Sequence, residues 1–150
     1  EKFVILAVFL PIIASQGGNA GMQTVTVIVR DMALGELSPG DGRKALFKEL
    51  LLGLLIGTII GLIVGVVGYL IAPEFGIPVD IGWILGLVVG TAMVLNLLAA
   101  ALFGVLIPFA LKFFRLDPAL GSSILITTVT DVAGFFFLLA LAKWILVSEA

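Results

Sequence analysis

The 150-residue chain contains no cysteine and no histidine. Without cysteine it has no disulfide framework, thiolate metal site or cysteine nucleophile. Without histidine the Ser-His-Asp triad, the HExxH zinc site and haem ligation through histidine are excluded. Charge is scarce too: charged residues are 12% of the chain, against a usual share of about 25%. The 8 basic and 10 acidic residues leave a net charge of −2 and no basic surface for nucleic acid. So few charges cannot coat a soluble domain in which 61% of residues are hydrophobic. The expected class is an all-α, multi-pass membrane helical bundle, since a bilayer core of roughly 30 Å needs about 20 apolar residues per helix.

Four such spans are predicted, over about 3–29, 46–71, 81–111 and 119–147, forming one transmembrane domain. Lys2 followed by the apolar run Phe3–Ala14 resembles a signal peptide, but apolar residues resume at Thr24–Val29, long enough to cross. The first residue is Glu1 rather than Met, so a longer parent chain is expected. Glycines at 53, 57, 61 and 65, then 68, and again at 82, 86 and 90, predict close helix packing by the small-xxx-small rule. Ser38-Pro39-Gly40-Asp41-Gly42 is turn chemistry, with Asp41 a candidate cap for the second helix, and Asp31–Leu37 a candidate interfacial turn. Pro108 is expected to kink the end of the third span. No internal repeat or low-complexity tract is apparent.

Loops 30–49 and 112–118 carry Arg30, Arg43, Lys44, Lys48, Lys112 and Arg115, whereas loop 72–80 carries Glu74 and Asp80. The positive-inside rule makes the first two loops cytoplasmic. The N-terminus of this segment then lies outside, and any preceding cytosolic domain requires a further crossing.

Asp131 is the one acidic residue inside the fourth span and sits near its middle, whereas Lys143 lies close to its end. A carboxylate at that depth costs roughly 2.5–3.5 kcal/mol on insertion scales, and an intramembrane ionisable residue is read as functional by default. Thr127 and Gly134 share its helical face, and Ser122, Ser123, Thr128 and Thr130 add hydroxyls nearby. Thr128 and Thr130 are expected to bond back to their own helix. In the first span Gly17-Gly18-Asn19 is expected to weaken or break the helix. Ser15, Asn19 and Gln23 fall at i, i+4 and i+8 on one face, and Gln16 adds a further amide. Two polar stripes predict that the first and fourth spans line a path together, with Gly18, Ser123 and Thr130 as further lining candidates. Asn96 reads as interhelical glue.

One carboxylate among neutral oxygens is a hard donor set, suited to Mg²⁺, Ca²⁺ or Mn²⁺. A single Asp cannot dehydrate Mg²⁺, which gives up water reluctantly, so a hydrated ion fits better. A two-fold homodimer with the first and fourth spans at its axis would bring two Asp131 residues together.

The stretches PIIASQGGNAGMQ (11–23), DPAL (117–120) and TTVTDVAG (127–134) resemble the MgtE family of magnesium channels, across essentially the whole chain and over the last four of the family's five transmembrane helices. The resemblance implies a homodimeric Mg²⁺ channel in the cell membrane with a central pore lined by the first and fourth spans here. It implies that Asp131 holds hydrated Mg²⁺, that Thr127 contributes through its carbonyl, and that Gly134 lies below. Asn19 and Gly18 match the broken part of the other pore helix, and Asp117 matches an acidic position at the cytoplasmic mouth that takes regulatory Mg²⁺. Ser123 departs from the family, which often has a polar amide there. The family's cytosolic magnesium-sensing domains would be partners from the same full-length chain.

Other functions are weaker. A proton-coupled divalent-cation carrier would usually show repeat symmetry or several intramembrane ionisable groups. An intramembrane aspartyl protease needs two carboxylates and a GxGD motif, and this chain lacks the motif. A scaffold would explain the glycine stripes but not the Thr127–Asp131–Gly134 face. No enzymatic activity is expected.

Overall fold

A computed structural model of the chain describes residues 4–37 and 39–148. Residue 3, the expected start of the first span, and Lys2 lie outside the described residues. The architecture is four long helices: α1 (Val4–Ala33), α2 (Gly42–Ile71), α3 (Val79–Phe113) and α4 (Pro118–Ser148). Each is long and apolar enough to cross a bilayer, so the chain is a multi-pass membrane protein. α2, α3 and α4 contain their expected spans and α1 contains the described part of its own, with up to four more residues at an end.

The loops stop the helices by identifiable means. After α1, Gly35 adopts a left-handed φ of 73°, and Glu36 and Leu37 both donate their backbone N–H to the Asp31 carbonyl, at 2.9 and 3.1 Å. The turn expected over 31–37 therefore begins only after helix residue Ala33. A 3-10 turn over Pro39–Asp41 leads into α2. Asp41 sits at the N-cap position, but its side chain makes no capping hydrogen bond. The chain is already helical there, so the carboxylate is not aimed at the first N–H groups. A second 3-10 turn, Ala72–Phe75, ends at left-handed Gly76. Between α3 and α4, Arg115 carries a φ of 60° and Asp117 Oδ1 accepts the Ala119 N–H at 2.9 Å. Asp117-Pro118 is thus a side-chain cap followed by proline in the first turn, where proline's missing N–H costs nothing.

α3 is the axis of the bundle, packing against α1, α2 and α4. α4 also packs on α1, while α1 and α2 touch only lightly. The α2–α3 contact is made by the predicted glycines. A Cβ on Gly61 would stand 2.7 Å from the Gly90 carbonyl oxygen, and one on Gly86 would stand 2.6 Å from that of Gly65. Backbone meets backbone there, the close approach that small residues permit. The outward face of α2 exposes Leu55, Ile59, Leu62, Val66 and Leu70, a surface that only lipid or another helix can cover.

α1 runs unbroken through Gly17-Gly18-Asn19, which corrects the expectation of a break at this point. Packing overrides the poor helix propensity of glycine. Gly17 and Gly21 leave no room for a side chain, because a Cβ on either would overlap Asn96 or Ile126. α3 likewise continues through Pro108 to Phe113.

Apolar side chains close the bundle at both ends. Ile5, Phe9, Ile13, Leu85, Val89, Met93 and Leu138 form the larger cluster, and Ile28, Met32 and Val105 the smaller. The buried polar side chains among the described residues are Thr24, Glu49, Asn96, Ser122 and Thr130, of which Ser122 bonds back to the Pro118 carbonyl at the start of α4, at 2.6 Å.

Candidate ion-binding site

Contacts at the glycines fix the register of the two candidate site helices. Gly21 meets Ile126 and Thr130, Gly18 faces Thr127 and Thr130, and Gly134 lies against Ile13. The helices are antiparallel, and by this register Asp131 is level with residues 15–19. It is 13 residues into α4 by the difference 131 − 118, or roughly 20 Å at 1.5 Å per residue.

The faces of α1 and α4 left uncovered by this packing carry Ser15, Asn19, Gln23 and Asp131, all exposed. Here the polar stripe of α1 and the carboxylate of α4 share one level. The other candidates are placed differently. Thr130 is fully buried and bonds back to the Ile126 carbonyl at 2.9 Å. It also donates to the Thr127 carbonyl at 3.0 Å, the oxygen assigned to the ion by resemblance. Thr127 is half-buried and bonds back to the Ser123 carbonyl at 3.1 Å. Thr128 does the same to Ile124 at 2.8 Å. Ser123 is half-buried, whereas Gly18 and Gly134 are buried and serve the helix contacts. Asp117 caps α4, far from Asp131 along the helix.

Asn96 supports this level from behind. Its Nδ2 donates to the Ile13 carbonyl at 2.8 Å, and its Oδ1 is a buried polar atom without a partner among the described residues. A Cβ on Gly17 would overlap the Asn96 amide, and one on Gly134 would stand 2.9 Å from its Nδ2. One carboxamide therefore ties α3 to the other two helices, as the glue reading expects.

Sequence reasoning missed Glu49. It is only 9% exposed, and its Oε2 accepts a hydrogen bond from Thr24 Oγ1 at 2.9 Å. The signal was present: the four-residue glycine series 53, 57, 61, 65, extended back one step, lands on Glu49. A residue in that series faces the bundle.

Among the described residues no three His, Cys, Asp or Glu side chains gather in one place. The donor set of one chain is a lone carboxylate with neutral amides and hydroxyls, suited to holding a cation through its waters. An all-α bundle of four membrane-length helices with an exposed acidic group at mid-span belongs to the class of multi-pass integral membrane proteins. A family model described as a divalent cation transporter, MgtE, matches residues 10–141, and the chain belongs to that family. It is 36% identical to the magnesium transporter MgtE of Thermus thermophilus, over 97% of this chain and 30% of that protein. The protein of that name in Bacillus subtilis is 28% identical over 95% of this chain and 30% of its own length. That of Enterococcus faecalis is 34% identical over 85% and 26%. The chain thus spans about 30% of the length of the curated relatives it matches.

Proposed function

We propose that this chain is the transmembrane part of a Mg²⁺ channel that passes the hydrated ion through a pore at a two-fold homodimer interface lined by α1 and α4. The observation that carries the reading is the exposed Asp131 at mid-span, level with Ser15 and Asn19 on uncovered helix faces. A carboxylate at that depth facing lipid would cost roughly 2.5–3.5 kcal/mol. Facing its symmetry mate across a hydrated divalent cation, the two negative charges balance the ion. Ser15, Asn19 and Gln23 then offer neutral partners to the ion's waters along the path. The names of the relatives favour Mg²⁺ among the hard cations.

In this reading the protein sits in the cell membrane of a bacterium, with the basic loops after α1 and α3 in the cytoplasm. Cytosolic domains of the longer chain would adjust opening, and Asp117 would meet their Mg²⁺ at the inner mouth. The test is Mg²⁺ uptake into liposomes carrying an internal Mg²⁺ dye. Asp131→Ala should reduce uptake to background while cross-linking still reports a dimer. Asp131→Asn keeps the shape and removes the charge, so it should lose preference for Mg²⁺ over monovalent ions. Unchanged uptake by Asp131→Ala would overturn the proposal.

A further inference from the structure

A second polar feature lies on the other flank of α1. Because α1 and α2 scarcely touch, a crevice of about 420 Å³ opens between them, lined by Gln16, Asn19, Gln23, Thr24, Lys48 and Glu49. Leu97 and Ala101 of α3 close its back, so polar partners for anything inside come from α1 and α2 alone. We propose that this crevice is a second cation site, in which Glu49 holds a hydrated divalent cation at the inner end of the conduction path.

The charge is the first argument. Glu49 is 9% exposed, yet it pairs with no basic side chain among the described residues. Its one hydrogen bond there, from Thr24 Oγ1 at 2.9 Å, engages one of the two carboxylate oxygens and leaves most of their acceptor capacity unspent. Buried charges are ordinarily paired or bind a metal. Size is the second argument. An ion with six waters, each taking about 30 Å³, needs roughly 180 Å³, and the crevice offers about 420 Å³. The three carboxamides on α1, spaced three and four residues apart, present hydrogen-bonding groups to those waters over roughly 10 Å of helix.

Position is the third. Glu49 is held at the level of Thr24, whereas Asp131 is level with residues 15–19. The two carboxylates are therefore separated by about 10 Å along α1, with Asn19 and Gln23 between them. Asn19 and Gln23 belong both to the exposed stripe and to the crevice lining, so α1 joins the two stations. Adjacent sites let one ion displace the next, which conduction requires. Lys48 at the crevice mouth is exposed, and its like charge weakens cation binding there. The choice of a divalent cation rests on the channel reading, but the site itself does not use Asp131.

This 150-residue segment has no cysteine of its own, so a single label can be placed in it. A single cysteine at Leu52, which lines the crevice, carries a nitroxide label in an Asp131→Asn background, and Mn²⁺ replaces Mg²⁺. Saturable broadening of the nitroxide spectrum by Mn²⁺ is expected, with the half-saturating concentration raised at least five-fold by Glu49→Gln. The glutamine keeps an oxygen for Thr24, so thermal stability should change little. Lys48→Gln, an exposed substitution, should tighten Mn²⁺ binding several-fold. Broadening unaltered by Glu49→Gln would overturn the proposal, and so would weaker binding in Lys48→Gln, the opposite of what removing a like charge does at a cation site. Each result is independent of Mg²⁺ flux through the unlabelled protein and its Asp131 variants, so failure here and failure of the channel reading are told apart.

Discussion

The neighbouring glycines Gly17 and Gly18 should respond in opposite ways to alanine. A Cβ on Gly17 would overlap the Asn96 carboxamide, whereas one on Gly18 would meet nothing nearer than Thr127 and Thr130 at 3.8 Å. In Gly17→Ala the amide must turn away from the Ile13 carbonyl and lose its 2.8 Å hydrogen bond. Asn96 is fully buried, so its displaced amide has no water to turn to. Leaving such a group unpaired costs about 1–3 kcal/mol, and forcing a methyl into a packed contact adds about 1–3 kcal/mol. Alanine's better helix propensity returns about 1 kcal/mol. The net expectation is a loss of roughly 1–5 kcal/mol for Gly17→Ala and a gain of up to about 1 kcal/mol for Gly18→Ala. Thermal unfolding of the detergent-solubilised protein measures both. A double-mutant cycle isolates the cause: in an Asn96→Ala background, Gly17→Ala should cost little, a coupling of about 0.5–3 kcal/mol. Equal effects at the two glycines, or no relief from Asn96→Ala, would refute the reasoning.

Gly61→Ala should destabilise by about 1–3 kcal/mol, since its methyl would stand 2.7 Å from the Gly90 carbonyl oxygen, a backbone atom that cannot rotate aside; unfolding in detergent reads the loss. Asp117→Ala should cost about 1 kcal/mol through loss of the α4 cap, seen as faster amide hydrogen exchange at Ala119 and Leu120. Asp117→Asn should keep the cap, because an amide oxygen also accepts the Ala119 N–H now bonded at 2.9 Å.

The four helices were legible because lipid imposes a length and penalises charge, and between its loops this sequence keeps long apolar runs with few charged residues, Asp131 at mid-span among them. The α2–α3 contact was legible because glycine at every fourth position has one use in a helix pair. Asp131 and the stripe through Ser15, Asn19 and Gln23 stood out as polarity where polarity is costly. The Gly17-Gly18-Asn19 stretch misled because propensity describes an isolated helix, and Asn96, some 80 residues away in the chain, is what fills the space beside Gly17. Glu49 was hidden by its place at the end of a basic loop, where a carboxylate looks ordinary; only its partner Thr24, on another helix, makes it unusual. Thr130 reads as a pore hydroxyl from its neighbours in sequence, yet it lies one residue, about 100° around the helix, from Asp131 and turns inward.

The glycine seam has a mechanical consequence. Side-chain interfaces slip by small steps as rotamers change, but a carbonyl resting on a Cα has no rotamer to change. α2 and α3 must translate and tilt as a single strut.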